Sequence, residues 1–233
     1  HWYFMNPETN FSIKCLKGGF DNNLSYVISC SHTGNQVLVD ASIELTKIYR
    51  YVHQSPAAIL ITHSHKDHLY YLQEYTEAYP KMAIIGHPDS EILAKKKNFQ
   101  GIGDNKKIKC GHLEFTSIHT PGHYYDSICY LIKPALFTGD TMFVGRTGRV
   151  ISSKSNVEDL YHSVYMKILK MPENVTHAVT VDDEHDSPVV SCYEPKAEKV
   201  EEVVEASSDD TPDAPATEDK KEEASSDNTE ESK

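Results

Sequence analysis

Between Thr62 and His68 the chain reads Thr-His-Ser-His-Lys-Asp-His, three imidazoles and one carboxylate within six positions. It follows directly on the apolar run Ala57-Ala58-Ile59-Leu60-Ile61. A run that short reads as a buried strand. The cluster therefore stands at the strand's C-terminal end, where open α/β sheets keep their ligand sites. Imidazole and carboxylate at close spacing suit a borderline divalent cation. A solvated, His-rich loop would have no reason to carry this order of residues behind a buried strand.

The rest of the chain supports strands mixed with helices. Phe11–Leu16 alternates as a strand does, and Leu24–Cys30 and Gln36–Asp40 follow it across turn-rich residues. Ser42 is expected to cap a helix running to about His53. Beyond the ligand cluster the pattern predicts a helix from Asp67 to about Tyr79 and a strand over Met82–Ile85. A further helix is expected to open at Pro88–Glu91 and end in Lys95-Lys96-Lys97, where cations suit the helix dipole. The second half offers strands at Lys107–Lys109, His112–Ile118, Ile128–Ile132 and Ala135–Thr138, a helix over Val157–Leu169 and a strand over Val175–Val181. The economical architecture is α/β, two mixed sheets face to face with helices outside, an αββα sandwich.

Charge separates the chain into two regions. The 233 residues carry a formal net charge of −12. From Glu194 to Lys233 there are 15 acidic residues and five lysines, so this stretch holds −10 of it and the body is near neutral. The stretch is rich in Glu, Asp, Ser, Thr and Pro and lacks aromatic residues. It cannot bury enough apolar area to offset its ordering entropy, so the expected organisation is one domain over 1–193 and a disordered acidic tail over 194–233. A solvated terminus without a protein partner is the simpler reading of that tail. The body shows no basic patch with interleaved aromatics, which disfavours nucleic acid, and no apolar run of membrane-spanning length. The five cysteines are scattered without a CxxC pair, as buried free thiols in a reducing, cytoplasmic setting would be. The chain opens on His1 rather than Met, so no targeting segment is read from it.

Two further segments repeat the strand-then-ligand pattern. Thr120-Pro121-Gly122-His123 follows the strand end at Ile118, and Phe137-Thr138-Gly139-Asp140-Thr141 follows Ala135-Leu136. Each alone is a weak signal, because a lone His or a lone Gly-Asp is usually structural. Together, THSHKDH, TPGH and FTGD closely resemble the metallo-β-lactamase fold and, within it, the glyoxalase II-like hydrolases. The resemblance extends through Thr141–Arg149 and Asp159–Val164 and covers roughly Ile13 to Pro172. It implies the αββα sandwich, with metals at the sheet edges.

The resemblance also implies a ligand set. His63, His65 and His123 would hold one divalent ion, Asp67 and His68 a second, and Asp140 would bridge them. The two ions would be zinc in the first instance, or iron. Asp67 and Asp140 are the expected catalytic carboxylates, and a small-molecule ester or thioester the expected substrate. The second ion calls for one more histidine from a PGH-type turn, and here the chain departs from the pattern. His185, behind an apolar strand and a turn, is the preferred substitute, whereas His177 falls within the strand. Arg146 and Arg149 are candidates for capturing a substrate carboxylate, or else exposed loop residues. Tyr124, with Tyr125 and Asp126, could line the pocket or support the fold. Asp40 closes a strand beside the site, either as partner of a metal-bound His or as a strand-end cap.

Three functions follow in order of expectation. The first is a metallo-hydrolase acting on a thioester or small ester. Typical glyoxalase II-like members add a helical C-terminal region that helps bind glutathione, and here a short link and the acidic tail follow His185, so the acyl substrate stays open. The second is a mononuclear iron oxidoreductase similar to persulfide dioxygenases, with His63, His123 and Asp140 as a facial triad. The third is a non-catalytic metallo-fold subunit.

Overall fold

Val37, Leu38 and Val39 are fully buried although they lie side by side. Side chains alternate across a strand, so a run buried throughout must be covered on both faces. The computed structural model, which describes residues 2–5, 10–19, 22–171 and 176–178, shows that covering. One sheet has seven strands in sequence order: β1 (Trp2–Met5), β2 (Phe11–Gly18), β3 (Asn23–Cys30), β4 (Gln36–Val39), β5 (Ala58–Leu60), β6 (Ala83–Gly86) and β7 (Phe99–Gly101). Strands β1 to β4 pair antiparallel, and β4 to β7 pair parallel. The second sheet uses β8 (Lys107–Cys110), β9 (Leu113–His119), β10 (Ile128–Ile132), β11 (Ala135–Phe137) and, beyond a two-stranded ribbon of β12 (Met142–Phe143) and β13 (Arg146–Thr147), β14 (Thr176–Ala178). Strand β14 pairs parallel with β11, and His177 falls within it, as expected.

The alternation sorts residues into layers. Val37, Val39, Ala58 and Leu60 face Phe115, Ile128, Tyr130 and Phe137 of the other sheet. Leu38, Ile59 and Ile61 point outward onto Ile43, Ile48, Leu72 and Tyr75 of the helical layer. On the far side Ile118, Cys129 and Leu136 meet Ile168. This is the four-layer αββα sandwich.

The helical segments differ most from expectation. The expected helix from Ser42 to His53 is reduced to α1 (Leu45–Ile48) and a 3₁₀ turn over Tyr49–Tyr51. Ser42 is not its cap: it is fully buried, and its N–H donates to Ser25 Oγ at 3.1 Å. The helix expected over Asp67–Tyr79 is two, α2 (Lys66–Leu69) and α3 (Leu72–Ala78). Tyr71, at φ −104° and ψ 10°, breaks it, and its N–H donates to Ala41 O instead. The helix expected to end at Lys95–Lys97 is one 3₁₀ turn, Leu93–Lys95, because Phe99 must already pair with Ile84 as β7. The helix expected over Val157–Leu169 begins as α4 (Val157–Tyr161), with Asn156 Oδ1 accepting from the N–H groups of Glu158 and Asp159. It continues as a π-helical segment, His162–Ile168. Among the described residues no helix is long and apolar enough to cross a membrane.

Candidate metal centre

Every expected ligand within the described residues sits just past the C-terminal end of a strand. His63, His65, Asp67 and His68 follow β5, His123 follows β9, and Asp140 follows β11. The two sheets are tied together here. Ile128 N–H donates to Thr62 O at 2.7 Å, and the Tyr130 hydroxyl donates to Ile61 O at 2.8 Å. Two glycines make the turns possible. Gly139 has φ +49°, and a Cβ there would meet Thr62 at 2.6 Å. Gly122 has φ +135°, and a Cβ would come within 2.2 Å of Leu160 N.

Hydrogen bonds fix the imidazole tautomers, assigned from their partners. Asp40 Oδ2 accepts from Thr62 Oγ1 at 2.8 Å, so that hydroxyl oxygen is left to accept from His63 Nδ1 at 3.1 Å. Asp40 Oδ2 also accepts from His68 Nδ1 at 2.8 Å. His123 Nδ1 donates to Arg149 O at 2.8 Å. In each ring the outer nitrogen is the donor to the protein, which leaves Nε2 as the atom turned inward. His65 turns its Nδ1 inward, 3.0 Å from His63 Nε2 and 2.9 Å from His123 Nε2. One ring proton cannot satisfy both neighbours. Three nitrogens converging at about 3 Å suit the shell of a small cation with bonds of roughly 2.0–2.1 Å.

A second group forms around Asp140. His63, His68 and Asp140 bring one ligand atom each within 4.8 Å of the others. Asp140 Oδ1 lies 3.1 Å from His68 Nε2, while Oδ2 lies 3.4 Å from His123 Nε2. One carboxylate thus faces both groups with separate oxygens. His68 Nε2 and Asp140 Oδ1 are buried and, although 3.1 Å apart, neither has a hydrogen-bond partner of good geometry. Orphaned donor atoms in a buried cluster fit a bound cation. Asp67 flanks the group, with Oδ2 3.6 Å from His68 Nε2 and accepting from Asn23 Nδ2 at 2.6 Å. His185 lies outside the described residues.

The electrostatics agree with that use. Burial, reinforced by the neighbouring imidazoles, holds His63 well below the usual histidine range and lowers His65. Both are therefore neutral lone-pair donors. Burial alone would lower His68 too, but Asp140 and Asp40 outweigh it and hold it well above. Burial alone would raise Asp140, yet His68 and the other imidazoles pull it below the ordinary carboxylate range. Each of the two thus favours the charged form of the other, and a bound cation would take over that role from His68 towards Asp140.

The candidate substrate residues divide. The Tyr124 ring lies 4.1 Å from that of His65 and forms a wall of the centre. Tyr125 is pinned behind it, with Lys154 Nζ 4.5 Å above its ring and Lys154 paired to Glu91 at 3.0 Å. Arg146 is exposed and packs on the Phe143 ring at 5.1 Å across the β12–β13 ribbon. Arg149 is exposed as well, and its tie to the centre runs through its carbonyl. Sequence reasoning weighed Asp126 as pocket lining, but it is buried and its Oδ1 accepts from Ser64 N–H at 3.2 Å, latching the ligand loop to the His123 loop. It missed Asn23 and the hydroxyl of Thr62. Only the Thr within the motif signalled the latter.

A family model described as "Metallo-beta-lactamase superfamily" matches residues 18–181. A hydroxyacylglutathione hydrolase of Klebsiella pneumoniae is 32% identical over 157 residues, which is 66% of this chain and 59% of that one. A Bacillus velezensis protein named "Probable polyketide biosynthesis zinc-dependent hydrolase BaeB" is 30% identical over 158 residues, 66% of this chain and 70% of its own. The chain thus spans about three fifths of the length of the hydroxyacylglutathione hydrolases it matches. Among solved structures, ETHE1 from Myxococcus xanthus superposes with a TM-score of 0.66 at 24% identity, over 75% of this chain and 77% of that one. The BLEG-1 B3 metallo-beta-lactamase superposes at 0.65 and 22% identity, over 73% and 91%. At such identities the superpositions speak for the fold.

Proposed function

The chain belongs to the metallo-beta-lactamase superfamily, a superfamily of metallo-hydrolases, and from that premise we propose that it hydrolyses a thioester or similar small ester at a two-cation centre. The observation that carries this reading is Asp140, whose two oxygens face the two ligand groups separately. Its supports are the hydroxyacylglutathione hydrolase and zinc-dependent hydrolase relatives.

In this reading His63, His65 and His123 would hold one ion, Asp67, His68 and His185 would hold the other, and Asp140 would serve both. Two divalent ions, zinc before iron, would supply an acidified water and a Lewis acid for the carbonyl oxygen. Asp40 keeps the His68 proton on Nδ1, so that Nε2 stays available. Thr62 does the same for His63. Asp67 and Asp140 would be the catalytic carboxylates, whose acceptor oxygens could hold and orient a water beside the ligand groups. Tyr124 would supply the apolar wall for the acyl group, and Arg146 and Arg149, in the loop after Asp140, are the candidates for meeting a substrate carboxylate.

The rival reading is a mononuclear iron oxygenase using His63, His123 and Asp140 as a facial triad. One sample decides. Elemental analysis should give two metals per chain, and thioester hydrolysis should be measurable while a glutathione persulfide causes no oxygen uptake. One iron per chain with oxygen uptake and no hydrolysis overturns the hydrolase.

A further inference from the structure

The helical segment behind His123 exposes apolar residues at a fixed four-residue spacing: Val157 at 67%, Tyr161 at 54%, Tyr165 at 51% and Leu169 at 54%. The adjoining row, Leu160, Val164 and Ile168, has the same spacing and is buried, Leu160 against Gly122 of the His123 loop and Ile168 against the second sheet. Two straight rows at four-residue spacing need an explanation, because an α-helix advances about 40° per such step. The change from α4 to the π-helical segment provides it: wider turns rotate the rows back. The Tyr161 and Tyr165 rings stack at 4.7 Å and 28° on the exposed side. Aligned apolar strips on a surface mark a contact face, and tyrosine is enriched in such faces.

We propose that this face docks on the same face of a second copy of the chain, with the two helices antiparallel about a two-fold axis. The argument is charge. Beside the apolar row runs a parallel row, Glu158, His162, Met166 and Lys170, all exposed and acidic at the start, basic at the end. Antiparallel pairing sets Glu158 of one copy opposite Lys170 of the other, twice, while Tyr161 meets Tyr165 at the centre. An isologous interface requires this kind of self-complementarity. Parallel pairing would set like charges together. Helix dipoles also oppose in the antiparallel arrangement.

The test is sedimentation equilibrium of the full chain across micromolar concentrations. A dimer is expected. Tyr161→Glu with Tyr165→Glu should make it monomeric, with the melting temperature that the wild type shows when diluted to a monomer. Lys170→Glu should weaken the dimer by about tenfold, and adding Glu158→Lys to it should restore association. The swap also covers the case in which the tyrosine variant fails to fold. A dimer indifferent to both sets overturns the proposal. So does a wild type that is monomeric throughout. In that event, protection of Tyr161 and Tyr165 from nitration by tetranitromethane would assign the face to another segment of the same chain.

Discussion

Asp40 shows how much one side chain settles. It takes φ +56°, unusual outside glycine, and holds Thr62 N–H on Oδ1 while Oδ2 receives Thr62 Oγ1 and His68 Nδ1. The sequence presents it as either a histidine's partner or a strand-end cap, and the structure makes it both. That double use was illegible in the sequence, since it depends on β4 and β5 lying side by side. The ligand residues themselves were legible, because each motif keeps its chemistry next to a strand end. Asp40→Ala is expected to lower metal affinity by roughly 10–100-fold while the fold persists, checked by competition with a chelating dye. Asp140→Ala should remove at least one bound metal and abolish turnover. Unchanged metal content in that variant would take Asp140 out of the centre.

At the scale of elements, the longer strands are legible in the sequence, the edge strands β1 and β7 and the short ribbon β12–β13 are not, and the helices are legible only in outline. A strand's two-residue alternation is local, so β2 to β6 and β8 to β11 were each placed within a few residues. The helices were set by what they pack against. Tyr71 leaves helical geometry to meet Ala41, and Leu93–Lys95 stops short because β7 must join the sheet edge. The π-helical segment left no sequence signal, yet it delivers Lys167. The Lys167 ammonium donates to His119 O at 2.6 Å and to Asp104 Oδ2 at 3.1 Å. Burial would raise the Asp104 carboxyl, but the His119 N–H and Lys167 lower it overall. A carboxyl held below its unfolded value stabilises the fold above that value, near pH 3.9, and the contribution disappears as pH falls through the lower folded value. Asp104→Asn should therefore lower the melting temperature at neutral pH, and the difference should shrink below about pH 4. The effect will be small, since Asp104 is 37% exposed and water screens the pair. A difference that stays constant down to acid would separate the loss from the carboxylate charge.

For the whole molecule, the expectation from composition is that residues 194–233 take no part in the core. Deleting residues 196–233 is expected to leave melting temperature and turnover nearly unchanged, and a large fall would show that it docks. The sandwich itself has a temporal consequence. Its ligand atoms come from both sheets, and His65 and His123, 2.9 Å apart in space, stand 58 residues apart in the chain. Contacts so distant in sequence close late, after the entropy of a long loop has been met. The centre therefore cannot exist in either half alone, and capture of an ion reports that the halves have met. In refolding followed with a coloured ion such as cobalt, absorbance from the coordinated metal should arrive with the last kinetic phase, after the far-ultraviolet signal of the strands. The centre would then serve as the chain's own clock for the end of folding.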